Sequence, residues 1–454
     1  MYSEYLKWLK TGLEHLQVRG HVWPGTEPDK TMVIGEGRVA EIMEELVAKL
    51  GGNYPFGHPE YAGQMLKPPH GIAWAAYALA MAINPNNHAL DGGPPTSEME
   101  KECVSELAAM FGFRADYLGH LSSSGTIANL EALWVAGRLH PGKAIACTTA
   151  AHYTHERISA VLGLPCIKIP MSPGGHPDMD FLMKHAPDIG TLVVTMGTTG
   201  TGAVEPLHVL AGFCRKKGIR IHLDAAYGGF FKLLQGSSLI DDAPWELTSL
   251  ADSIVIDPHK HGLQPYGCGC VLFRDASVGR LYKHDSPYTY FTSDELHLGE
   301  ISLECSRAGA SAAALWATLK AFPLSGDTGF GPVLQQCRMA ALEFAGAVAG
   351  LDDYTMIGSP ELDIVIFAPL STGRLSSQVS ESSKTVFRRG MDPATPAGDR
   401  LYLSLYRMPA AQLPEDCGIE ADTEEITVLR STLMKPEHRG FIPEMVERLK
   451  RLAR

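Results

Sequence analysis

Between residues 143 and 275 the chain alternates short apolar runs with stretches of helical period, and that alternation leaves few folds open. The runs lie at 144–147, 166–169, 191–196, 219–223, 253–256 and 269–273. Helical segments stand between several of them, as in Leu207 to Lys217 with Gly218 as its stop. Strands separated by helices predict βαβ units in a mostly parallel sheet. Ligands of such sheets sit beyond the carboxyl ends of the strands. Residues able to do chemistry fall there: His152, Thr198 and Thr199, Asp224, and Lys260, each shortly after a run.

The flanks read differently. Residues 1–50 predict two helices around a loop, the second carrying Val39, Ile42, Met43, Leu46 and Val47 on one face. That stripe packs either on a partner subunit or on its own chain. Residues 53–96 are rich in Pro, Gly, Asn and His, and include the polar loop His58–Gln64 and an apolar helix over 71–83. A loop of this composition is either a connector or part of a site. A helix over 97–111 opens on Ser97 and Glu100, the spacing of a capping box. Residues 281–303, with Tyr282, Tyr288 and Tyr290, read as a long loop. The stretch Pro323 to Pro332 is the best boundary, and beyond it helices and strands alternate as in a small α+β domain. The expected division is an N-terminal helical arm (1–95), a large domain (96–325) and a small C-terminal domain (326–454).

Composition narrows function by exclusion. A net charge of −12 leaves no electrostatic footprint for nucleic acid or an anionic membrane. The nine cysteines form no C-x-x-C pair, so neither a zinc site nor a disulfide framework is expected, and no metal. The run Gly71 to Ile83 is too short to cross a bilayer, and the first residues lack an apolar signal core. The expected setting is the cytoplasm.

Four short stretches carry the chemistry. Asp257-Pro258-His259-Lys260 follows the apolar run 253–256. A lysine taken out of water loses part of its proton affinity and becomes a usable amine nucleophile, whereas a strand-end lysine left in water is only solvated charge. Leu121-Ser122-Ser123-Ser124-Gly125-Thr126 opens a helix, so its amides and hydroxyls offer a phosphate-sized anion site, unless it is an ordinary Ser/Thr cap. Asp224, in His222-Leu223-Asp224-Ala225-Ala226, is either a turn cap or a carboxylate able to hold a pyridinium N–H. His152 is either a satisfied half-buried histidine or a ring that stacks on a flat cofactor.

In order and spacing, Ser124-Gly125-Thr126-Ile127-Ala128-Asn129, His152, Gly197-Thr198-Thr199, Asp224-Ala225-Ala226-Tyr227-Gly228 and Asp257-Pro258-His259-Lys260 resemble the group II pyridoxal-phosphate-dependent amino-acid decarboxylases. That family is related to sphingosine-phosphate lyase. The resemblance implies an α/β protein of PLP-dependent transferase fold type I, with a mostly parallel seven-stranded sheet and a small C-terminal domain. It implies pyridoxal 5'-phosphate as cofactor, an L-amino acid, aromatic or acidic, as substrate, and a homodimer with the site at the subunit interface. It implies that Lys260 forms a Schiff base with the cofactor, that Asp224 pairs with the ring nitrogen, and that His152 and Ala226 cover the two ring faces. Ser123, Ser124, Gly125, Thr126 and His259 are expected at the phosphate, and Thr199 near the ring hydroxyl or substrate carboxylate. His58, Tyr61, Gln64 and Arg430 are expected at the substrate, and Tyr288 as the proton donor of a mobile loop. Lys435-Pro436 departs from the family's usual Asn-Pro, and Ser306-Arg307-Ala308-Gly309-Ala310 resembles the lyase and archaeal tyrosine decarboxylase branches. A carbon–carbon lyase and a non-catalytic cofactor-binding protein stay open as alternatives.

Overall fold

A computed structural model describes residues 2–21, 29–88, 92–172, 175–283 and 301–454. Its centre is a sheet of seven strands: β1 (Leu118–Ser122), β2 (Ala144–Thr148), β3 (Cys166–Ile169), β4 (Ile189–Thr195), β5 (Arg220–Asp224), β6 (Ser253–Ile256) and β7 (Gly269–Phe273). The spatial order is β1-β7-β6-β5-β4-β2-β3. β7 runs antiparallel to both β1 and β6, and the remaining pairs are parallel. Every residue of β2, β4, β6 and β7 is buried, because helices cover both faces. That double burial is why these strands read as continuous apolar runs rather than alternating ones.

A second, antiparallel sheet follows, built from β8 (Tyr354–Met356), β9 (Ile364–Pro369), β10 (Ser404–Pro409) and β11 (Glu425–Thr432) in the order β10-β11-β9-β8. The helices Phe330–Ala349 and Ser376–Met391 pack against it, and His438–Ala453 packs on those two helices. The loop carrying Tyr61 belongs to this unit in space: the Ala62 N–H donates to the Tyr402 carbonyl and the Thr432 N–H to the Ala62 carbonyl. Ala62 also sits in the core with Phe344, Phe367 and Leu429.

Two local expectations change. The predicted capping box does not form. The helix begins at Pro94, with prolines at its first positions where no N–H is needed, so Ser97 and Glu100 lie inside it and are buried. Glu100 instead accepts from the Leu121 N–H at 2.9 Å and pairs with Arg307. The helix Glu36–Leu50 does not pack its apolar stripe on its own chain, since all of its residues are exposed.

Candidate active site

The carboxyl ends of β4, β5 and β6 and the start of the helix Gly125–Leu139 surround a cavity of about 210 Å³. At one end is the helix start. Ser124 is extended and its hydroxyl caps the Ile127 N–H at 3.2 Å, which turns the chain sharply into the helix. Gly125 is the first helical residue, and a Cβ there would meet the Asp257 carboxylate at 2.4 Å. Only glycine lets the backbone come so close. Ser124, Gly125 and Thr126 line the cavity at the positive end of the helix dipole. Ser123 is turned away, with its amide donating to Glu304 Oε2 at 2.8 Å.

The same cavity is lined by Asp224, the last residue of β5. It is buried, and both carboxylate oxygens are tied: Oδ2 to His155 Nε2 at 2.8 Å and Oδ1 to the Ala226 N–H at 3.2 Å. Burial alone would raise this carboxyl, but the His155 hydrogen bond and the charges of His155 and Lys260 outweigh it and hold the group well below the usual carboxylate range. His152 and Ala226 face the same space. The Nδ1 of His152 accepts from the Thr154 N–H at 3.2 Å, and burial lowers its proton affinity, which favours the neutral ring. Of the two threonines after β4, Thr199 lines the cavity while the Thr198 hydroxyl is used within its own turn, on Thr201 at 2.9 Å.

Lys260 enters from the loop after β6. Its Nζ stands 2.9 Å from Asp257 Oδ2, with the side chain 22% exposed, so the amine reaches the cavity without lying in bulk water. His259 donates from Nδ1 to the Cys268 carbonyl at 2.6 Å, which leaves Nε2, 3.6 Å from Asp257, as the nitrogen free to meet a ligand. Asp257 thus orients both neighbours and keeps Oδ1 buried without a hydrogen-bond partner.

The residues expected at the substrate lie farther out. Arg430 is buried and donates to the carbonyls of Gly200 and Gly63, both at 3.0 Å, and to the Ser404 hydroxyl at 3.2 Å. It ties the threonine turn to the 58–64 loop. Tyr61 is buried beside Tyr402 and Phe56, with its hydroxyl bonded by the Gln64 backbone. Gln64 is exposed, and His58 is half exposed with its ring against Phe441. None of these four lines the cavity itself. Tyr288 lies outside the described residues. Tyr282 packs on Trp134 with ring centroids 5.0 Å apart, and burial followed by the neighbouring Glu131 raises its hydroxyl far above the ordinary value, so it serves the core.

Sequence reasoning passed over three residues here: His155, Asn129 and Asp257. Asn129 lines the cavity, donates to the Gly125 carbonyl at 2.8 Å and accepts from His222 Nε2 at 2.8 Å, joining the anion loop to the Asp224 strand. The helical spacing of Gly125 and Asn129, and the two-residue spacing of His222 and Asp224, are the signals that pointed to it.

The pyridoxal-dependent decarboxylase conserved domain matches residues 34–369. The chain belongs to that family. It is an enzyme that uses pyridoxal 5'-phosphate to remove the carboxylate of an amino acid, and of the three readings open from the sequence the decarboxylase is the one that stands. It is 30% identical over 316 residues to a probable L-tyrosine/L-aspartate decarboxylase of Methanothermobacter thermautotrophicus, covering 67% of this chain and 82% of that one. It is 28% identical to the L-aspartate decarboxylase of Thermococcus kodakarensis, over 81% of this chain and 92% of that one. Among solved structures, that of Oryza sativa TDC with PLP and tryptamine superposes with a TM-score of 0.79 at 17% identity, covering 99% and 97% of the two chains. The residues of the cavity fit the cofactor: a helix start, a buried carboxylate and an amine line one space, with a glycine where a Cβ would collide.

Beneath the site, Glu205 accepts from the Thr195 N–H at 2.8 Å and from the Thr148 hydroxyl. Burial pushes its carboxyl up from 4.5 to about 7, against those hydrogen bonds. A raised pKa means the folded protein holds the proton more tightly than the unfolded chain. The associated stability is fully present below the unfolded value and is lost as pH rises through about 7. The amount is roughly 3 kcal/mol. Glu205→Gln should flatten the fall in Tm across that window, and parallel Tm–pH curves for the two proteins would refute the assignment.

Proposed function

We propose that this decarboxylase acts on an acidic or aromatic L-amino acid, L-aspartate first and L-tyrosine second, with the residues of the cavity in the following roles. Lys260 would hold the cofactor through its amine. Asp224 faces the ring nitrogen. His152 and Ala226 would enclose the ring, while Ser124, Gly125, Thr126 and His259 would receive the phosphate, Ser123 being turned to Glu304, and Thr199 would lie beside the ring edge. Bound there, pyridoxal phosphate supplies a conjugated ring that accepts the electrons of the broken Cα–carboxylate bond. Arg430, with His58, Tyr61 and Gln64, orients the substrate so that this bond is the one that breaks, and Tyr288 returns a proton to Cα.

The observation that carries this reading is that Lys260, Asp224 and the first amides of the helix Gly125–Leu139 line one cavity. The order of substrates rests on the names of the two relatives. Incubation with each of the twenty amino acids, with carbon dioxide and amine measured, tests it. No release from any of them sinks the reading. Replacing Arg430 by Lys keeps the charge and loses the fork, and should raise KM for the acidic substrate by roughly 10-fold or more with cofactor affinity little changed. An unchanged KM places the substrate carboxylate elsewhere.

The working form is a homodimer in the cytoplasm. Val39, Ile42, Met43, Leu46, Val47 and Leu50 are each 42–64% exposed on one helix, an apolar face of the kind that a second copy covers. All nine cysteines are free thiols, as in a reducing compartment. Among the described residues no helix is long and apolar enough to cross a membrane.

A further inference from the structure

We infer that His155 is a positioning residue of this site, orienting the Asp224 carboxylate toward the cofactor's ring nitrogen. The inference rests on the reading of Asp224 given above. His152 and His155 come from one short segment: His152 precedes the helix Thr154–Leu162, and His155 lies one turn later at its start. The same turn therefore sends one ring to the cavity and the other under its acidic end.

The bonding of His155 differs from that of His120 and His222, while His261 shares the feature of one ring nitrogen without a hydrogen-bond partner among the described residues. His120 uses both ring nitrogens, on the Leu121 carbonyl at 2.7 Å and Glu131 at 2.8 Å. His222 does the same, with Ser253 and Asn129 both at 2.8 Å. His155 is equally buried, yet among the described residues its Nδ1 has no hydrogen-bond partner. Leaving a buried ring nitrogen unsatisfied forfeits its hydration without return. A histidine kept only to fill space would be replaced by an apolar residue of similar size without that cost. What His155 retains is one bond, from Nε2 to Asp224 Oδ2 at 2.8 Å. A carboxylate oxygen only accepts, so Nε2 carries the proton and donates. With the Ala226 N–H on Oδ1, that bond fixes the plane of the carboxylate. The other ionisable groups acting on Asp224 are Lys260 and His222; burial lowers His222 to about 3, so it stays neutral. Glu205 acts on the pair from below.

The test compares His155→Leu, which removes the donor, with His155→Gln, whose amide N–H restores one. Cofactor-free protein is titrated with pyridoxal 5'-phosphate by fluorescence, and the absorbance of the bound cofactor is followed against pH without substrate. The Leu variant should bind the cofactor at least ~10-fold more weakly and shift the pH profile, with kcat lowered more than KM is changed, and Gln should recover most of both. In an Asp224→Asn background, His155→Leu should weaken binding little further. An unshifted profile with unchanged affinity in the Leu variant overturns the inference, as does an equal loss in the Asp224→Asn background. If the Leu variant does not fold, Gln is compared with the shorter Asn, and equal behaviour of those two overturns it. Asp224→Asn alone separates the levels. If it leaves cofactor binding unchanged, the reading of Asp224 fails; if it weakens binding and His155→Leu does not, only the role of His155 fails.

Discussion

Lys260→Ala should lose the visible absorption of cofactor joined to a lysine amine, and decarboxylation should fall by roughly four orders of magnitude or more. The expectation rests on position. Lys260 reaches the cavity from the loop after β6, held by Asp257 at 2.9 Å, beside the helix start that Gly125 keeps open. The substitution is cheap for the fold, because the side chain is 22% exposed and its removal leaves Asp257 with His259 still 3.6 Å away. The variant should therefore melt near the wild-type temperature, which separates lost chemistry from lost structure. Absorption spectra of wild type and variant, each given pyridoxal 5'-phosphate, decide the matter. A lysine-type band that persists in the variant removes Lys260 from its role.

Asp224→Asn should lower kcat by about 10²–10³-fold and weaken cofactor binding, with KM for the amino acid changed much less. The amide keeps the shape and can still accept from His155, but it no longer carries the charge that favours a protonated ring nitrogen. In the wild-type protein His155 and the nearby Lys260 offset the burial that would otherwise neutralise the carboxyl. The carboxylate therefore persists to well below neutral pH, and activity should not be lost on the acid side through titration of Asp224. Steady-state kinetics across pH check both statements; an acid limb that disappears in Asp224→Asn would contradict the second.

The parts of the site that could be seen in the sequence are those built from short windows. Ser124-Gly125-Thr126 reads as a helix start because a cap and a glycine are local signals, and the helix does start at Gly125. Asp224 and Lys260 read as strand-end residues because buried parallel strands announce themselves as apolar runs. The antiparallel β7 and the edge strand β1 were less legible, since direction and edge position leave no periodicity of their own. The Ser97–Glu100 spacing misled for a related reason: the same residues suit a cap or a buried acid, and Arg307, 207 residues away from Glu100, decided between them.

From residue order and period follow the mostly parallel sheet, the helix start at Gly125 and the strand-end places of Asp224 and Lys260, and the resemblance of the short motifs adds the family. Tertiary structure alone settled what stands behind them. His155 meets Asp224 across 69 residues, and Arg430 meets Gly63 across 367 and Gly200 across 230, bonding backbone carbonyls instead of projecting into the cavity. Such pairings depend on which strands are neighbours in each sheet and on how the second sheet sits against the first. Local propensity carries no information on either, because each pairing becomes favourable only once the intervening chain has folded.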